Sequence, residues 1–445
     1  MITVQNIFNA FVKICLEKEK IMIDPWITQG IYNGTWYRNP HVEITDDFFD
    51  DVTSCIITHI HPDHFDINAI KKLPSDCVIH FPDIYPNRPV VGRYLKDREV
   101  RFHDMCKPIM LSNDTEVVFL PPVNAEGHLH GLKEPDPSDF IVLDTGVMIE
   151  SCGKRMAFLA DNFPWDPDKI TDVLEKVHGC DVMAVPFNAF ADDYPVCFDN
   201  YTNDEKLNIS MNRNNTRLDK LVQFLKLTSP GCVFPYSSDF FLKGSRAIEF
   251  DICHPDVFKS RRGFCEELSS RIEVNTMAVS SHQHILLDDS GSHLIGQYEE
   301  VDFSETCKSL YNSEQNTHWP VVDLDEMNDL ILLAAGHVFK KMAEKKLESD
   351  WALELALIDH DNVTYHIDMK TNEISMKSGD ENCLRCKLPS GHLRSLLLFD
   401  LHWDNERISH NLSWERYPDV YEPNISKSIN YFHVPFVEIE NKRAK

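Results

Sequence analysis

Positive charge is scarce in this chain. Against 71 aspartates and glutamates stand 44 lysines and arginines, a formal net charge of −27 over 445 residues. A surface of that sign repels phosphate backbones and anionic headgroups, so neither wrapping nucleic acid nor lying on an anionic membrane is expected. An anionic substrate would need a local source of positive field, which bound metal ions can supply. Long apolar runs are missing too, and no uninterrupted stretch is long enough to span a bilayer. The opening Met1-Ile2-Thr3-Val4-Gln5-Asn6 has no basic region followed by an apolar core. Cysteine lacks order: there are 13 of them, an odd number without a regular framework. Together these absences point to a reducing, soluble compartment, and the expected location is cytoplasmic. A glycine-rich phosphate loop and a nucleophile elbow are also lacking.

What is present begins with apolar content, 42% of 445 residues, which is ample for a core and more chain than one domain normally uses. A large domain over residues 1–320 and an accessory module over residues 321–445 are expected. The densest chemistry lies in Thr58-His59-Ile60-His61-Pro62-Asp63-His64-Phe65. Upstream, Cys55-Ile56-Ile57 reads as a buried strand, and residues 67–73 read as the start of a helix, so the cluster sits on a strand-to-helix loop. Alternation along an extended segment puts His59 and His61 on the same side. Pro62 then forces a turn that brings Asp63 and His64 round to the same pocket. Neutral imidazole and carboxylate suit zinc or iron, and four such groups this close can serve two ions. The bland alternative is a histidine-rich surface turn, which this density and order disfavour.

Other stretches supply candidate partners. Residues 10–26 carry two apolar runs joined by Glu17-Lys18-Glu19-Lys20, the pattern of a hairpin. At its end Asp24-Pro25-Trp26 offers a carboxylate to hold a metal-bound water or orient a ligand histidine or, equally, an Asx turn capped by proline. Glu116-Val117-Val118-Phe119-Leu120 is a strand leading into a loop that holds His128 and His130; His130 is preferred as the donor because Gly131 frees the backbone beside it. Strands follow at 140–144, 147–150 and 153–162, and Asp161 terminates the apolar run of the last, where a carboxylate can point into a site at the sheet edge. Residues 191–217 turn polar and asparagine-rich, which fits a lid, a substrate loop or a solvated excursion. Residues 218–227 are amphipathic and helical. Beyond 320 come a long helical pattern at 325–346 and strand-like runs at 352–358, 363–369 and 373–376. The Cys383-Leu384-Arg385-Cys386 spacing has no second pair, so neither zinc nor thiol redox chemistry is expected of it.

His59-x-His61-x-Asp63-His64 resembles the signature loop of the metallo-β-lactamase superfamily. The resemblance implies an α/β fold of α+β type, an αββα sandwich with metals at one sheet edge, here followed by a C-terminal α+β accessory module. It also implies two divalent metal ions, zinc or iron. His59 and His61 would take metal one with His128 or His130; Asp63 and His64 would take metal two, with Asp161 bridging. Asp63 and Asp161 are then the carboxylates expected to serve catalysis. Asp24-Pro25-Trp26 is similar to the branch containing ascorbate-6-phosphate lactonase and the CMP-N-acetylneuraminate hydroxylases. One departure stands out: where hydrolytic members close metal two with a histidine after a strand and proline, this chain has Tyr236-Ser237-Ser238. His254 is a substitute that would have to swing in.

Two activities follow from the resemblance: a metal-dependent hydrolase acting on a small-molecule substrate, or a di-iron oxygenase. The sialate hydroxylases carry a Rieske domain, which needs a Cys-x-His pair, and none of the 13 cysteines begins one. An oxygenase of this kind would draw electrons from a separate donor protein. A scaffold that has lost its metals is the third reading. For the C-terminal module three roles fit: docking on the catalytic domain, shaping the pocket, or mediating a homodimer.

Overall fold

The computed structural model describes residues 1–38, 42–84, 87–112, 114–122, 144–162, 171–187, 193–237, 239–313, 318–361, 363–376 and 382–443. They form two compact units, one of residues 1–31, 36–191 and 207–313, the other of residues 32–35, 192–206 and 314–445.

Two large sheets build the first unit. In the first, the strands lie in the order Gly291–Ile295, His284–Asp288, Ile2–Phe8, Phe11–Cys15, Lys20–Ile23, Ser54–Ile56, Val78–Pro82 and Val100–His103. The expected hairpin is the pair Phe11–Cys15 and Lys20–Ile23, with Val12 opposite Ile23. In the second sheet the order is Cys232–Tyr236, Val182–Pro186, Lys154–Phe158, Gly146–Ser151, Thr115–Leu120 and Pro108–Met110. Alternation gives each strand an inner face. Val4, Ile14, Ile21, Ile23 and Ile56 from the first sheet meet Phe119, Ile149, Phe158, Val182 and Phe234 from the second in one buried cluster. Each such side chain contributes roughly 1.5–3 kcal/mol relative to exposure.

The other face of the second sheet, through Val118, Leu120, Met183 and Val185, packs on helices that supply Val177, Leu221, Phe224, Leu225, Phe264 and Leu268. This is the mixed α/β sandwich that the sequence implied. The polar stretch 191–217 differs from expectation, because a helix, Asn203–Thr228, begins inside it. Leu218, Leu221 and Leu225, at helical spacing, anchor that helix in the core, and its polar first turns follow as a continuous extension.

In each sheet a run of strands is parallel. Lys20–Ile23, Ser54–Ile56, Val78–Pro82 and Val100–His103 form one run, and Lys154–Phe158, Val182–Pro186 and Cys232–Tyr236 the other. The carboxyl ends of such strands are where open α/β sheets gather ligands.

The second unit sets the helix Leu324–Lys345, capped by Asp323, beside a five-stranded sheet. Its central strands Ala352–Leu357 and Cys383–Leu388 run parallel. Cys383 and Cys386 sit three residues apart on one strand, so they point to opposite faces, and both are reduced. Among the described residues no helix is long and apolar enough to cross a membrane.

Candidate metal centre

Six strand ends deliver the groups that matter. Asn9 follows Ile2–Phe8, Asp24 follows Lys20–Ile23, and the histidine-rich loop follows Ser54–Ile56. From the second sheet, Asp144 and Thr145 precede Gly146–Ser151, Asp161 follows Lys154–Phe158, and Ser237 follows Cys232–Tyr236. Four of these corners turn through left-handed backbone: Asn9 (φ 43°), Asp24 (φ 46°), Ala160 (φ 51°) and Ser237 (φ 64°). Asparagine and aspartate tolerate that region, whereas alanine and serine are strained there by about 1–2 kcal/mol. Gly146 lets the second sheet close at this point, since a Cβ on it would meet the Phe158 carbonyl at 3.0 Å. Thr145 Oγ1 then donates to the Thr58 carbonyl at 2.6 Å, fastening the Asp144 corner to the histidine loop.

One buried carboxylate sets the imidazoles. Asp24 is fully buried. It accepts from Thr58 N and Thr58 Oγ1, both at 2.7 Å, and from His64 Nδ1 at 2.8 Å. Thr58 Oγ1 has spent its proton on Asp24, so at 3.0 Å from His59 Nδ1 it must accept, and Nδ1 carries the proton. The hydrogen-bond network therefore leaves Nε2 of His59 bare, fully buried and without a hydrogen-bond partner among the described residues. Of the roles expected for Asp24, orienting a histidine is the one its contacts show.

That bare nitrogen faces acid. His59 Nε2 lies 3.5 Å from Asp144 Oδ1 and 3.9 Å from Asp161 Oδ2. His61 Nδ1 is 3.9 Å from the same Asp144 oxygen. His64 Nε2 is 3.2 Å from Asp63 Oδ2 and 3.3 Å from Asp161 Oδ2. Ser237 Oγ donates to the other oxygen of Asp161. The result is two donor triads, His59–His61–Asp144 and His59–His64–Asp161, with His59 in both.

Electrostatics follow from this crowding. Burial, helped by His64 and His61, keeps the His59 imidazole well below its ordinary pKa. Burial also opposes charge on His64, but Asp63, Asp161 and Asp24 outweigh it and hold that ring well above the ordinary value. Burial would raise Asp161, yet His64, His59 and the Ser237 hydroxyl pull it down. Burial alone dominates at Asp24 and raises it.

A lone pair aimed at two carboxylate oxygens is acceptor against acceptor, costing about 1–3 kcal/mol for the orphaned buried nitrogen. A divalent cation between them reverses the sign, and imidazole with carboxylate is the donor chemistry of zinc and iron. The residues fit the metal site that the signature loop implies.

Of the residues marked in the sequence, His59, His61, Asp63, His64 and Asp161 converge here. His128 and His130 lie outside the described residues. His254 does not join the group: it is buried between Phe250 and Phe303, its Nδ1 2.6 Å from the Phe250 carbonyl. Asp144 and Asn9 were not anticipated. Asp144 ended a recognisable strand pattern, as Asp161 did, and that shared signal could have found it.

Residues 19–233 match the family model of the beta-lactamase superfamily domain. This part of the chain belongs to the metallo-β-lactamase superfamily. A curated relative, the cytidine monophosphate-N-acetylneuraminic acid hydroxylase of Danio rerio, is 23% identical over 244 residues, covering 54% of this chain and 38% of the relative. The chain thus matches well under half of that protein's length. Solved structures resemble it too. One is the metallo hydrolase Igni18 of Ignicoccus hospitalis, at 13% identity, covering 67% of this chain and 99% of that one with a TM-score of 0.39. Another is the diiron β-hydroxylase CmlA of Streptomyces venezuelae, at 15% identity, covering 63% and 53% with a TM-score of 0.42. Neither likeness bears on what the chain does.

Proposed function

We propose that the first unit is a metallohydrolase that holds two divalent ions and acts on a small-molecule substrate. The observation that carries this reading is the pair of donor triads sharing His59. His59, His61 and Asp144 would hold one ion; Asp63, His64 and Asp161 would hold the other, with Asp161 reaching toward both through Oδ2. Bound there, such ions polarise a carbonyl or phosphoryl oxygen and lower the pKa of water to about 7. The chain's own contribution is orientation. Asp24 fixes the His64 ring directly and the His59 ring through Thr58, so neither reorganises during reaction. Ser237 ties up one Asp161 oxygen and leaves the other aimed inward.

A second reading is favoured by one specific feature of the donor set. Three carboxylates accompany three imidazoles, and Ser237 stands where hydrolytic relatives were expected to place a histidine. Harder oxygen-rich sets suit iron, and the zebrafish relative is named a hydroxylase. On this reading the enzyme is a di-iron oxygenase supplied with electrons by a separate protein. Metal analysis of protein purified without added metal decides between them. About two zinc per chain and no visible absorbance support hydrolysis, iron with a charge-transfer band supports oxygenation, and strongly sub-stoichiometric metal overturns both.

A further inference from the structure

Asp63 is the one member of the histidine-rich loop whose carboxylate is gripped from outside that loop. Asn9, fully buried at the turn between Ile2–Phe8 and Phe11–Cys15, donates from Nδ2 to Asp63 Oδ2 at 3.0 Å. That oxygen is also the one lying 3.2 Å from His64 Nε2. The direction of the Asn9 amide is set by the chain itself, because its Oδ1 accepts the Asp239 backbone N–H at 3.1 Å. Flipping the amide would set two N–H groups against each other there and an oxygen against Asp63.

Behind Asn9 the hydrogen bonds close into a ring. Asp239 Oδ2 accepts from Arg261 Nη2 at 2.7 Å, and Arg261 Nη1 donates to Asn6 Oδ1 at 2.5 Å. Asn6 Nδ2 returns to the Asn9 carbonyl at 3.0 Å. The same carbonyl accepts the Ser237 N–H at 3.1 Å. Asn6, Asn9, Asp239 and Arg261 thus lock the first strand, the corner after Cys232–Tyr236, and the start of the helix Arg261–Arg271 to one another. A ring of charge-assisted and buried hydrogen bonds is stiff, and from it the Asn9 amide reaches out to Asp63.

We propose that Asn9, held by this Asp239–Arg261–Asn6 ring, is a positioning residue that fixes Asp63 Oδ2 for the ion shared with His64 and Asp161. The inference rests on the two-ion reading above. It explains how the set of Asp63, His64 and Asp161 stays ordered although Ser237, and no histidine, follows the strand Cys232–Tyr236. It also gives Arg261, which touches none of the proposed ligands in the described contacts, a predictable effect on one ion and not the other.

The test is titration of metal-free full-length protein with cobalt(II), followed by its visible bands and by competition with a chelator. Wild type should show two binding events. Asn9→Gly keeps the left-handed corner and removes the amide; Asn9→Asp keeps the acceptor for the Asp239 N–H and removes the donor. Each should weaken one event about 10–100-fold and change its visible band, while the other event moves less than about twofold. Arg261→Gln should shift the same event in the same direction, and Arg261→Lys should restore part of the loss. Thermal midpoints of the metal-free variants identify any that fail to fold; if Asn9→Gly does, Asn9→Asp and Arg261→Gln decide. A single event in wild type overturns the two-ion reading. Two events that both survive in the folded Asn9 and Arg261 variants, or that weaken equally, overturn the inference and leave that reading standing.

Discussion

Buried imidazoles cluster in both units, with opposite chemical consequences. In the first unit His59, His61 and His64 face Asp63, Asp144 and Asp161, and Asp24 lies behind them. In the second, His433 is fully buried with its ring 4.5 Å from that of His337 and 4.7 Å from that of Phe399. Burial, against the pull of its bond to the Val434 carbonyl and helped by His337, His402 and Lys341 around it, lowers it to about 4. The two groups are alike in number, and in each at least one ring is fully buried. What separates them is the company they keep: carboxylates make a place for a cation, whereas imidazoles and a lysine make a neutral core. A third arrangement, His392 with Glu406 at 2.7 Å under the stacked Trp319, has a single acid and is satisfied by it.

The comparison breaks most sharply at His59. His59→Ala should remove the ion held with His61 and Asp144 and abolish activity, because that ring is central to the cluster. His433→Ala should leave metal content untouched and cost about 2–4 kcal/mol of stability through lost packing. Metal analysis beside urea unfolding checks both, and retention of full metal by His59→Ala would end the ligand assignment.

Next in size is Asp144→Ala, expected to weaken one ion at least about 100-fold while the other remains, as read by chelator competition. An unaltered pair of affinities would show that Asp144 is a bystander at the rim.

The pH response should set the two clusters apart. His433 sits at about 4 in the fold against an ordinary 6.5, so the folded state prefers it neutral. Its stabilising contribution is complete above the ordinary value and is lost as pH falls through about 4, on the order of 3 kcal/mol in all. Amide exchange of the helix Leu324–Lys345 in the full chain should accelerate over that window, and His433→Gln should flatten the dependence. A window unchanged by the substitution would assign it to other groups.

The smallest effect is expected from Asp24→Asn, which keeps the shape but weakens the hold on His64 and on Thr58. Metal affinity should fall about 10–100-fold, or roughly 1.4–2.7 kcal/mol. Calorimetry of zinc binding measures it, and a change of less than twofold would reduce Asp24 to a turn residue.

Legibility in the sequence followed distance along the chain. His59, His61, Asp63 and His64 occupy adjacent positions, so order and spacing alone declared them. Asp161 was visible because it ends an apolar run, a local signal that becomes meaningful only beside the loop. Asp144 gave the same local signal yet stayed hidden, since its role depends on Gly146 allowing close strand pairing and on Thr145 reaching Thr58. Asn9 carried no signal at all: one asparagine at a hairpin turn is ordinary until the first sheet brings that turn beside Asp63. The long helix Asn203–Thr228 was half concealed because its first turns are polar and only its later ones reach the core.

The left-handed corners have a consequence for anyone who would engineer this protein. Ala160 and Ser237 hold conformations that glycine adopts freely, so exchanging either for glycine offers relief from local strain. Each is also the residue that aims or steadies Asp161. Heat resistance gained at these bends would come out of aiming accuracy, and a screen for hardier variants that ignores turnover should drift toward them first.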